Sequence, residues 1–151
     1  MAINNIAFNN LRQSCAHLVY QLLLDMEIVK PNNLSSKHTT ILVKTFMPHS
    51  IGHSIGLDVH DPIDDYGNLV LQNNMVITIE PGIYFNKALI KKLPPSIAKY
   101  VNLDVIQNFR TNGVHGIRIE DVILIKGTKN QVLTKNITKE IDGIEKLMKK
   151  K

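Results

Sequence analysis

Apolar residues at Leu11, Cys15, Leu18, Val19, Leu22 and Met26 recur three or four positions apart, which lays one stripe along a helix and predicts a helix from about Asn10 to Met26. Pro31-Asn32-Asn33 ends it and opens a loop. Between Thr39 and Thr45 the apolar, partly β-branched run Ile41-Leu42-Val43 predicts a strand. Asn73-Asn74 marks a turn before a second strand, Val76 to Glu80, which stops at Pro81-Gly82. A third runs from Gly116 to Ile125, and a last short one lies near Gln131-Val132-Leu133. The stretch from Phe85 to Thr111 reads as an insertion-like arm, broken at Pro94-Pro95, with a short helix over 102–109 capped by Asn102. Ile141, Ile144 and Leu147 at helical spacing predict a terminal helix packed on the sheet.

The 151 residues are one domain's length and 44% hydrophobic, enough for a substantial core. The net charge of +5 comes from scattered lysines and a basic end. That is a solvated face rather than a basic stripe interleaved with aromatics, so no nucleic-acid partner is expected. Cys15 stands alone, which excludes an internal disulfide and a redox pair. Neither a leader nor a long apolar span is visible, so the expected setting is cytoplasmic, away from membranes.

Candidate chemistry concentrates in Pro48-His49-Ser50-Ile51-Gly52-His53-Ser54-Ile55-Gly56-Leu57-Asp58-Val59-His60-Asp61. Three imidazoles within a dozen positions suit metal ligation or proton transfer, and the glycines let backbone come close to a neighbour. Side chains alternate along a strand, so Val76, Thr78 and Glu80 share one face, and Arg118 and Glu120 share another. A carboxylate in so apolar a strand is costly to bury unless paired, hydrogen-bonded or metal-bound. Taken singly, Glu80 or Glu120 fits an edge strand in water; together with the histidines they point to a site. His17 falls off the helical stripe and His115 sits in a turn, so both read as structural. Asp64 and Asp65 read as solvated loop acids.

Three ordered motifs carry a resemblance. They are Pro48-His49-Ser50-Ile51-Gly52-His53 with Gly56-Leu57-Asp58-Val59-His60-Asp61, then Ile79-Glu80-Pro81-Gly82-Ile83-Tyr84-Phe85, then Gly116-Ile117-Arg118-Ile119-Glu120-Asp121. They resemble the pita-bread metallopeptidases, which include methionine aminopeptidase, aminopeptidase P and prolidase (Xaa-Pro dipeptidase). Phe46-Met47-Pro48-His49 and 101–110 are prolidase-like, and the similarity runs from about Leu11 to the C-terminus. The resemblance implies an α+β fold, the C-terminal half of a pita-bread domain, with a curved, mostly antiparallel sheet and helices on one face. Residues 1–151 would form a single partial catalytic domain. It implies that His53, Glu80 and Glu120 are metal ligands, that His49 and His60 contact substrate and stabilise the tetrahedral intermediate, and that Glu80 shuttles a proton while Arg118 orients its neighbours. The implied cofactor is a divalent ion, most simply Mn²⁺, with two ions in the complete family site and one or none here; carboxylate with imidazole suits such hard ions. The implied substrate is an Xaa-Pro dipeptide or another proline-containing peptide.

Two departures bear on this. The family's dinuclear centre also uses two aspartates from an upstream hairpin, whereas the acids before His49 are Asp25, in a predicted helix, and Glu27. Prolidases usually hold the substrate carboxylate with a basic residue before the first glutamate strand, yet no Lys or Arg stands between Lys44 and Lys87. Dipeptidase and aminopeptidase P specificity both stay open. The functional expectation is a metal-dependent exopeptidase domain that resembles Xaa-Pro dipeptidase and acts next to proline, with aminopeptidase P as the alternative specificity. It lacks the two upstream aspartates, which either come from a separate N-terminal half chain or are missing because the chain is a truncated product. The alternative is a non-catalytic remnant that binds at most one ion or serves as a partner module. An uncovered sheet edge would also favour a homodimer.

Overall fold

The structure, a computed structural model, describes residues 5–31, 33–63, 65–127 and 129–149; Asp64 lies outside them. The chain divides into two compact units, one of residues 1–8, 52–80 and 119–151, the other of residues 9–51 and 81–118.

The first unit is built on a three-stranded antiparallel sheet in the order β1-β4-β5, with β1 at Val76–Ile79, β4 at Asp121–Lys126 and β5 at Lys129–Val132. β1 and β4 pair in a register that sets Val76 opposite Leu124 and Ile79 opposite Asp121. Ile77, Ile123 and Ile125 are buried, as is Thr78, so β1 is covered on both faces. The outer edge of β1 is taken by residues 53–55: Thr78 N–H donates to the His53 carbonyl at 2.9 Å and Ile55 N–H to the Val76 carbonyl at 3.0 Å. The turn before β1 works through Asn74, whose φ of 72° is a left-handed conformation that asparagine tolerates. Helix α6, Ile141–Met148, forms as the periodicity predicts, but Ile141, Ile144 and Leu147 are exposed. The expected packing of this helix on the sheet is therefore corrected: its apolar stripe faces solvent.

The second unit holds α1 (Phe8–Asp25) from residue 9, α2 (Ser36–Phe46), the hairpin pair β2 (Gly82–Tyr84) and β3 (Gly116–Arg118), and the short helices α3 (Lys87–Lys91), α4 (Pro95–Ala98) and α5 (Leu103–Thr111). The predicted first helix is present, but its buried line runs through Cys15, Val19 and Leu23 while Leu18 and Leu22 are exposed. The strand expected over 39–45 is a helix, α2. The hydroxyls of Thr39, Thr40 and Thr45 bond back to carbonyls three or four residues earlier, absorbing the side-chain polarity that disfavours these residues in helices. Burial of Leu42, Val43 and Phe46 then follows helical spacing, and this overrides β-branched propensity.

The arm of residues 85–111 is ordered by caps. The Asn86 side chain accepts from Ala88 and Leu89 N–H at the start of α3, Pro95 opens α4, and Asn102 accepts from Val105 N–H at the start of α5. Phe85 stacks on Phe109 with centroids 5.3 Å apart, tying β2 to α5. The strand expected from Gly116 to Ile125 is split, with β3 pairing to β2 and β4 to β1.

Candidate metal centre

The β1–β4 register does most of the work of assembly. Glu80 and Glu120 stand one step beyond the last paired couple, Ile79 and Asp121, so the two carboxylates meet at the end of one ladder. His53 reaches the same place because its own backbone lines the opposite edge of β1. That approach needs Gly52: a Cβ there would lie 1.9 Å from the Thr78 carbonyl oxygen. One ligand atom from each of His53, Glu80 and Glu120 lies within 4.8 Å of the others, and among the described residues these form the one such cluster.

The hydrogen bonds fix how these groups point. His53 Nδ1 lies 2.9 Å from the Ser54 carbonyl oxygen. A carbonyl oxygen only accepts, so Nδ1 carries the proton and the neutral ring presents a bare lone pair at Nε2. That nitrogen lies 3.4 Å from Glu80 Oε1. A lone pair facing a carboxylate oxygen is repulsive unless a cation or proton lies between them. Two ligands about 2.0–2.2 Å from one ion, at angles near 90–110°, stand roughly 3.0–3.5 Å apart. The donor set therefore fits a divalent ion, and the Nδ1 anchor is the outer contact that metal-binding histidines commonly make.

Glu80 is only 7% exposed. Thr78 Oγ1 accepts from the His53 N–H at 2.9 Å and donates to Glu80 Oε1 at 3.1 Å, so one hydroxyl sets both groups. Glu120 is exposed. His60 is also exposed, and its ring stands edge-on to that of His53 with centroids 4.3 Å apart.

Within the second unit, His49, Tyr84 and Arg118 form a separate cluster. His49 Nδ1 lies 2.7 Å from the Ser50 carbonyl oxygen, and its Nε2 lies 3.0 Å from the Tyr84 hydroxyl, which accepts from Arg118 Nε at 2.7 Å. Asp25 ends α1 and accepts from Gln21, as a solvated helix acid would. His17 and His115 are exposed. Sequence reasoning gave no role to Thr78 or Tyr84. Thr78 shares a strand face with Glu80 and could have been found on that ground; nothing in the spacing pairs Tyr84 with His49.

The family model of metallopeptidase family M24 matches residues 6–127. A probable Xaa-Pro aminopeptidase of Emericella nidulans is 33% identical over 147 residues, covering 85% of this chain and 30% of the relative. An Xaa-Pro dipeptidase of Pseudoalteromonas atlantica is 36% identical over 140 residues, covering 79% and 30%. Among solved structures, Icp55 of Saccharomyces cerevisiae bound to the inhibitor apstatin superposes with a TM-score of 0.65 at 30% identity, over 97% of this chain and 30% of that one. Proline aminopeptidase P II from Yersinia pestis gives a TM-score of 0.65 at 26% identity, over 99% and 30%. The chain thus spans about 30% of the length of these relatives. The expected α+β fold, the C-terminal half of a pita-bread domain, is the one these neighbours share. With a family match over most of its length and the His-Glu-Glu cluster at the end of one ladder, the chain belongs to metallopeptidase family M24.

Proposed function

We propose that residues 1–151, as one partial catalytic domain, supply the His-Glu-Glu side of the metal centre of an exopeptidase that cleaves the bond next to proline. The observation that carries this reading is the 3.4 Å approach of His53 Nε2, lone pair outward, to the buried carboxylate of Glu80. His53, Glu80 and Glu120 would hold a divalent ion, Mn²⁺ by the hardness of two carboxylates with one imidazole. When bound, such an ion supplies Lewis acidity and lowers the pKa of a water held there.

The chain's own groups account for the remaining chemistry. Glu80, oriented through Oε1 by the Thr78 hydroxyl, accepts the proton of the attacking water and returns it to the departing amine nitrogen. His60, exposed and with its ring edge-on to that of His53, would donate to the oxygen that gains charge on the scissile carbonyl. The chain's relatives include both a probable Xaa-Pro aminopeptidase and an Xaa-Pro dipeptidase, and the His-Glu-Glu centre serves either specificity.

The ligand count favours a half-enzyme over full activity for these residues alone. A second ion needs carboxylates beyond Glu80 and Glu120, and Asp25 is held in α1 by Gln21. Hydrolysis of Gly-Pro and of a longer Xaa-Pro peptide with added Mn²⁺ tests this. Residues 1–151 alone are expected to bind one equivalent of Mn²⁺ without turnover, and to gain activity when mixed with an aspartate-bearing N-terminal half of the fold. Turnover by residues 1–151 alone would overturn the half-enzyme reading, and absence of Mn²⁺ binding would overturn the metal reading.

A further inference from the structure

The Tyr84 hydroxyl lies between two groups that motif matching treats separately. A phenolic oxygen has one proton to give and lone pairs to receive. Arg118 Nε–H, which can only donate, points at it from 2.7 Å and takes a lone pair. His49 Nδ1 faces the Ser50 carbonyl at 2.7 Å, so Nδ1 holds the ring proton and the neutral ring offers Nε2 as an acceptor. The Tyr84 proton therefore goes to His49 Nε2, 3.0 Å away. The two rings meet edge-on, with centroids 5.3 Å apart at 78°, and the Arg118 guanidinium carbon lies 5.8 Å from the Tyr84 ring centre. Two glycines keep this place open: a Cβ on Gly82 would come within 2.7 Å of the Tyr84 hydroxyl, and one on Gly116 within 2.7 Å of its Cδ1.

We infer that Tyr84 is the positioning residue for His49, its hydroxyl holding the imidazole by Nε2 in the Nδ1–H tautomer, and that Arg118 acts on His49 through Tyr84. This rests on the preceding reading only for the claim that His49 belongs to the peptidase site. It alters the role expected of His49: while Tyr84 donates to Nε2, that nitrogen has no proton to offer a substrate oxygen. The positive guanidinium drains charge from the phenolic oxygen and makes Tyr84 the stronger donor.

The test is long-range ¹H–¹⁵N correlation spectroscopy of the imidazoles in residues 1–151, free of metal and peptide, at a pH where the rings are neutral. Neither outcome of the hydrolysis experiment bears on it. In the unsubstituted chain His49 is expected as the Nδ1–H tautomer, with Nε2 displaced toward the protonated-nitrogen position by an accepted hydrogen bond. Tyr84→Phe should return Nε2 to the position of a bare lone pair while the His17 and His115 signals stay put. Arg118→Gln should move it the same way by less, and 3-fluorotyrosine at position 84, a stronger acid, should move it oppositely. An unmoved Nε2 in a folded Tyr84→Phe chain overturns the assignment; if that variant does not fold, an unmoved Nε2 with fluorotyrosine does so. An unmoved Nε2 in Arg118→Gln overturns the part assigned to Arg118.

Discussion

At the scale of single residues, Thr78 shows how much one buried hydroxyl can govern. It is 1% exposed, takes the His53 N–H and gives its own proton to Glu80. Thr78→Val keeps the shape, leaves that N–H unsatisfied and removes the hydroxyl's bond to the carboxylate. Such a loss costs about 1–3 kcal/mol, and removing an outer contact of this kind lowers metal affinity roughly 10–100-fold. Urea denaturation and Mn²⁺ calorimetry measure the two effects, and unchanged affinity would count against the role. His53, Glu80 and Glu120 were legible in the sequence because the residue types and their motifs announce them. The Thr78–His53 and Tyr84–His49 contacts were not, because they join residues 25 and 35 positions apart. Linear spacing does not record which strands will pair.

Elements are set by where backbone can pair as much as by propensity. The 53–55 segment lies on the free edge of β1 only because Gly52 brings no side chain against the Thr78 carbonyl. Gly52→Ala should force that segment away, destabilise the fold by about 1–3 kcal/mol as other overpacked positions do, and reduce Mn²⁺ binding at least as far as Thr78→Val does. Calorimetry on both variants decides the order, and a Gly52→Ala chain with intact binding would show that the close approach is dispensable. The same logic explains what the sequence did and did not disclose. Strands β1 and β5, the capped α5 and the extent of α1 follow from local pattern. Helix α2 did not, because three threonines satisfied by their own helix look like strand formers when read as letters. The break between β3 and β4 was hidden too, since each half finds a different partner.

On the scale of the whole molecule, part of the acid sensitivity comes from Asp121. The Lys139 ammonium, 2.8 Å from Asp121, and then the Thr134 hydroxyl hold the Asp121 carboxyl below the usual aspartate value of about 3.9. The folded chain thus takes up this proton less readily than the unfolded chain. The stabilisation is full above the unfolded value and is lost as pH falls from about 5 through the lower folded value. Because both partners are partly solvated, it amounts to less than about 1 kcal/mol. Asp121→Asn should lower neutral-pH stability by that amount and flatten the acid limb, so the two curves converge at low pH; thermal melts from pH 7 to 3 check it. The anchors of His49 and His53 carry a different consequence. Each imidazole is tethered to the peptide oxygen of the residue that follows it, Ser50 or Ser54. No substitution of a serine can delete a peptide oxygen, so these tethers ask nothing of the serine hydroxyls, and both positions can drift over time while the rings keep their orientation.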